Sequence, residues 1–106
     1  RVVSSRVKTD LAKLGQLTFE APDTGRFPSI LLARQAGETG GTLPAVLNAA
    51  NEVAVDAFCH GRIGFPGITE TVRRVMDAHA VVADPDLDRI LEADAWARRE
   101  AARLSA

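Results

Sequence analysis

The chain has 106 residues, is 46% hydrophobic and 25% charged, and carries a net charge of −1, the make-up of one ordinary globular domain. That balance offers no electrostatic footprint for nucleic acid or an anionic membrane, and no apolar run reaches the roughly 20 residues that cross a bilayer. The single cysteine, Cys59, excludes an intrachain disulfide and fits a reducing compartment.

In chain order, Arg1–Lys8 is polar and basic and reads as a loop or edge segment. Thr9–Leu17 is ambiguous: Leu11, Leu14 and Leu17 suit a helical turn, but Gly15 weakens it. Leu17-Thr18-Phe19-Glu20 has the content of a short strand. Ala21–Gly25 and then Phe27-Pro28 punctuate the chain as turns, so we place a boundary here between an extended arm and a helical domain.

Ser29 is expected to cap a helix from Ile30 to about Gly37, with Leu31, Leu32, Ala33 and Ala36 as buried candidates. Gly37, Gly40 and Gly41 end it. The stretch Leu43–Arg62 organises the rest. Val46, Leu47, Ala50, Val53, Ala54, Ala57 and Phe58 recur at i, i+1, i+4, i+7, i+8, i+11 and i+12, one stripe of a helix. Pro44 sits in its first turn, where a missing N–H costs nothing. Gly61 follows its last periodic residue and suits a left-handed stop. About 18 residues give a helix about 27 Å long. Ile68, Val72, Val75, Met76 and His79 predict a further helix to Ala80. Val81–Pro85 is a connector, Asp86–Leu91 a short helix, and Asp94 a cap for a last helix, Ala95–Leu104, with Ala97, Ala101 and Leu104 inward. The fold expected is mainly α: a bundle of about four helices behind an arm with a short strand.

No residue pattern points to chemistry. Cys59 and His60 are adjacent and cannot face one ion from one side of a helix, and His79 is the remaining imidazole; structural zinc needs four ligands at set spacings. Asp84, Asp86 and Asp88 resemble the start of a calcium loop, but Arg89 replaces the glycine at position six and Ala95 the glutamate at position twelve. Gly37, Gly40 and Gly41 lack the spacing of a phosphate loop. Ser4, Ser5, Ser29 and Ser105 have no base pattern beside them. Arg98, Arg99 and Arg103, interleaved with Glu100, read as a solvated face, and Trp96 as core packing. Asn48 and Asn51 are odd in a central helix. Buried amides must be paired, so both are expected to hold loop backbone, and Asn51→Ala to cost roughly 1–3 kcal/mol.

The ordered set Asp10–Asp23 (DLAKLGQLTFEAPD), Arg26-Phe27-Pro28, Gly40-Gly41-Thr42, Leu47–Phe58 (LNAANEVAVDAF), Gly61–Phe65 and Asp94–Arg98 resembles the C-terminal part of the 1-deoxy-D-xylulose 5-phosphate reductoisomerase family. The resemblance spans essentially the whole chain. It implies an enzyme with an upstream NADPH-binding domain of Rossmann type and a central catalytic domain. Such an enzyme converts the linear sugar phosphate to 2-C-methyl-D-erythritol 4-phosphate with Mg²⁺ or Mn²⁺, in the non-mevalonate isoprenoid route. It further implies a homodimer, residues 1–20 ending the central domain, 21–29 as linker and 30–106 as the C-terminal bundle. The family's ligand, phosphate and metal residues lie upstream, so no catalytic, cofactor-binding or metal residue is carried onto this sequence. The isolated chain is expected to be inactive. Position 1 is Arg rather than Met, and the natural chain is expected to begin upstream. The alternative is an independent helical protein-interaction module. A module should have its arm disordered or folded onto its own bundle; a fragment should have it misplaced or paired with another copy.

Overall fold

The computed structural model describes residues 9–106; the loop or edge segment expected at Arg1–Lys8 lies outside the described residues. The arm makes one helical turn, α1 (Leu11–Leu14), because Asp10 accepts the amide of Ala12 at 3.0 Å and Gly15, at φ +69°, closes it. The strand expected at Leu17–Glu20 does not form: the stretch has no regular structure and Phe19 is 85% exposed. A strand is stabilised by a ladder partner, and no described residue supplies one. The radius of gyration is 17.6 Å, against about 13 Å for a compact chain of this length. The arm therefore stands off the bundle instead of packing on it.

Four helices build that bundle: α2 (Ser29–Thr39), α3 (Leu43–Cys59), α4 (Phe65–Ala78) and α5 (Leu87–Leu104). Helix α2 begins at Ser29 itself, with Pro28 in the cap position and no side-chain cap. It runs through Gly37 to Thr39 and stops at Gly40, at φ +68°. It buries Leu32 and Ala36, while Leu31 and Ala33 face outward.

Helix α3 is central, as its sequence predicts, and packs on α2, α4 and α5. Val46, Ala50, Ala54 and Ala57 are buried as expected, joined by Leu43 and Ala49. Leu47 and Val53 pack partly against the core. Phe58 does not: it is 38% exposed and meets Phe65 edge-to-face at 5.7 Å. The helix ends as Gly61 requires. With φ at +73° the chain turns, the Gly61 amide reaches Phe58 O and the Arg62 amide reaches Ala57 O, both bonds of a Schellman stop.

Helix α4 starts three residues before the expected Ile68, with Pro66 in its first turn, and buries Thr71, Val72, Val75 and Met76. The largest difference lies beyond it. The two helices expected at Asp86–Leu91 and Ala95–Leu104 are one, α5. Asp86 is its cap, accepting the Arg89 amide at 2.9 Å. Asp94 lies mid-helix, where its carboxylate binds Arg98 at 2.7 Å. Nothing between Leu91 and Ala95 breaks a helix, and every residue there tolerates one. Arg98 also reaches Glu52 of α3 at 2.6 Å. The basic run is thus not merely a solvated face: one of its members ties two helices together.

The α2–α3 turn and the α4–α5 connector meet at one end of the bundle. The Thr42 amide donates to Val82 O at 3.1 Å, and the Val82 amide donates to Thr42 Oγ1 at 3.0 Å. Helices α2 and α4 therefore run toward this end, and α3 and α5 run away from it.

Candidate functional site

Two places gather polar groups with shape. The first is the junction at Thr42. This residue is fully buried just before Leu43 and Pro44. Its hydroxyl does not cap α3 but accepts the Val82 amide and lies 2.7 Å from His79 Nε2. The two atoms are at hydrogen-bond distance, and which of them donates follows the His79 tautomer. The ring lies 5.2 Å from that of Trp96, tilted by 34°. Burial lowers the His79 pKa from its ordinary value of 6.5.

The unfolded chain takes up the His79 proton first as pH falls, so the stability His79 contributes is complete above its ordinary value. It declines below 6.5 until the lower folded value is passed. We expect the thermal midpoint to fall between about pH 7.5 and about pH 5, and the fall to shrink in His79→Gln. Equal falls in both proteins, measured by circular dichroism, would exclude His79 as the cause.

The second place is a groove of about 340 Å³ between α2, α3 and α4, whose lining includes Ile30, Leu47, Asn51, Thr69 and Val72. The structure corrects the expectation for the two asparagines. Asn48 and Asn51 are both exposed, and neither bonds the glycine turn or the Gly64–Gly67 turn. The stability loss expected of a buried amide does not apply to them. Asn51 instead is among the residues that line the groove.

The remaining candidates stay apart. Cys59 is exposed. His60 bonds the Asp56 carbonyl at 2.8 Å. Asp84 sits in a left-handed turn at φ +48° and Asp86 caps α5. Ser105 is buried, its hydroxyl donating to Ala101 O at 2.6 Å. Ser29 opens α2 and lies at the groove's edge, while Ser4 and Ser5 fall outside the described residues. Trp96 packs partly against the core. Among the described residues no three or more of His, Cys, Asp and Glu come together to hold a metal ion, and no helix is long and apolar enough to cross a membrane. Thr42 is the residue that sequence reasoning passes over, as part of a glycine linker. Its signal is its place: a Thr two residues before a first-turn Pro marks a helix start.

Comparison with known proteins decides the affiliation. The family model described as the DXP reductoisomerase C-terminal domain matches residues 2–100. The chain belongs to this family. The 1-deoxy-D-xylulose 5-phosphate reductoisomerase of Synechococcus sp. (strain JA-2-3B'a(2-13)) is 58% identical over 96 residues, 91% of this chain and 24% of that protein. That of Halothermothrix orenii is 47% identical over 105 residues, 99% of this chain and 27% of its own length. The solved structure of the Zymomonas mobilis reductoisomerase in complex with NADPH superposes with a TM-score of 0.82 at 40% identity, covering 99% of this chain and 28% of that one. The chain thus spans about a quarter of the reductoisomerases it matches. Membership in the DXP reductoisomerase family displaces the reading of a free-standing interaction module.

Proposed function

We propose that this chain is the C-terminal bundle of an NADPH- and Mg²⁺- or Mn²⁺-dependent reductoisomerase that makes 2-C-methyl-D-erythritol 4-phosphate. In this reading the reacting groups lie in upstream NADPH-binding and catalytic domains. Residues 1–20 end the catalytic domain, 21–29 form the linker and 30–106 the bundle, and the enzyme works as a homodimer in the bacterial cytoplasm. The observation that carries the reading is the family match over residues 2–100 combined with relatives about four times as long. In this reading no step of the reaction is assigned to the described residues. What they supply is a rigid body. Alanine-lined helices, a cross-helix Arg98–Glu52 pair and the Thr42 junction fix one end of the molecule.

The test is turnover. The 106-residue chain, mixed with NADPH, Mg²⁺ and 1-deoxy-D-xylulose 5-phosphate, is expected to leave NADPH absorbance unchanged, while the full-length polypeptide consumes it. Substrate-dependent NADPH loss with the short chain alone would overturn the assignment.

A further inference from the structure

Residues 21–29 have the composition of a linker, yet hydrogen bonds and proline rings close almost every joint in them. The Thr24 amide reaches Pro22 O at 3.1 Å, a γ-turn about Asp23. Asp23 then holds the chain twice: its carboxylate Oδ1 accepts the Arg26 amide at 3.1 Å, and its carbonyl accepts the Phe27 amide at 2.9 Å. An aspartate bonded to the backbone ahead of it closes a turn on itself. Gly25, the residue with the greatest backbone freedom, lies inside that closed loop. Beyond it, Pro28 O accepts the amides of Leu31 and Leu32 at 3.1 and 3.2 Å, so α2 begins at once. The joint between Phe27 and Pro28 is spanned by none of these bonds, but it is stiff for another reason. The pyrrolidine ring holds Pro28 at φ −71°, and the proline that follows confines Phe27 to extended backbone. The Arg26 guanidinium lies 5.5 Å from the Phe27 ring centre and adds a contact between the two side chains.

We propose that residues 22–28 form a rigid elbow, not a flexible tether: they fix the direction in which the arm leaves the bundle, and the Asp23 carboxylate is the pin. The extended outline of the molecule agrees with this. Leu11, Leu14, Leu17 and Phe19 of the arm are all more than half exposed, so the arm stays clear of the helices although it carries apolar groups that burial would favour. Flexible linkers are rich in glycine and serine, whereas proline stiffens a connection; here two prolines flank a turn with a single glycine. The elbow goes beyond the functional reading, and only the identity of what it aims rests on that reading. There, it sets the angle between the bundle and the upstream domains, and any movement of one against the other occurs outside residues 22–28.

The experiment uses this 106-residue chain, so that nothing upstream supports the arm. Nitroxide labels are attached to Ala21→Cys and Ala102→Cys, both at exposed positions, in a Cys59→Ser background that leaves no other thiol. Pulsed electron double resonance then reads the distance distribution between arm root and bundle. The parent should give one narrow peak. Asp23→Ala should broaden it at least twofold while the helical circular-dichroism signal stays unchanged, and Asp23→Asn, whose side-chain oxygen can still accept the Arg26 amide, should stay close to the parent. A parent distribution as broad as that of Asp23→Ala, or an Asp23→Ala distribution as narrow as the parent's, would overturn the elbow. Should Asp23→Ala lose its helical signal, Pro28→Ala, which frees the joint that no hydrogen bond spans, takes its place in the same comparison with the same two outcomes. The measurement needs no turnover. An inactive full-length enzyme would remove the functional reading and leave the elbow standing, whereas a broad parent distribution would remove the elbow alone.

Discussion

Gly41→Ala should lower the stability of the bundle by about 3 kcal/mol, the sum of a left-handed backbone penalty and a lost buried hydrogen bond. Gly41 sits at φ +57°, and a Cβ at this position would lie 2.3 Å from the carbonyl oxygen of Val82. That oxygen accepts the Thr42 amide, so it cannot retreat without breaking the bond. Its retreat would also draw the Val82 amide away from the Thr42 hydroxyl. Gly61→Ala provides the internal comparison. Gly61, the left-handed stop of α3, has φ +73°, but its Cβ would meet no atom within 4 Å. It should therefore cost only the backbone term, about 1 kcal/mol. Urea denaturation of the two variants separates strain from collision. Equal midpoints would show that the close approach to Val82 is not what Gly41 is needed for.

Ala97→Leu should cost about 2–3 kcal/mol through overpacking. Ala97 and Ala101 are completely buried on α5, as are Ala49, Ala50 and Ala54 on α3. Small side chains let helix backbones approach, and each added methylene must find volume in an interior packed like an organic crystal. There is also a local gauge of the damage. Arg98 follows Ala97 and holds Glu52 across the same interface at 2.6 Å, so a displaced α5 should stretch that pair. Ala102→Leu, on the exposed side of the same helix, should leave the denaturation midpoint within about 0.5 kcal/mol of the parent. If Ala97→Leu did the same, the α3–α5 seam would have room that the fold does not show.

Much of this is legible from residue order. The spacing of apolar residues marks α3 and its burial, because periodicity reports the core-facing side directly. Gly61 and Pro44 mark its ends, because each does there what few other residues can. Three readings differ for identifiable reasons. Asp94 has the chemistry of a cap, yet its carboxylate serves Arg98 within a continuous helix, since a capping residue is only a preference and Asp86 already fills the role. Leu17–Glu20 has strand composition, but strand formation depends on a partner that local sequence cannot supply. Asn51 stands beside the apolar stripe of α3, which suggests burial. Whether the flank of a stripe is covered depends on how far α2 and α4 close over it, a tertiary matter. The candidate site is less visible still. The groove arises from three helices meeting, and the Thr42–His79 contact spans 37 positions.

Thr42 and Val82, 40 residues apart, exchange two hydrogen bonds, one onto a backbone carbonyl and one onto a side-chain hydroxyl, and so two surface turns become one latch. Neither can loosen by itself. Adding or deleting a residue in the exposed Val81–Pro85 connector would shift the latch's register. The disturbance would reach the start of α3, making a solvent-facing segment as intolerant of length change as the interior.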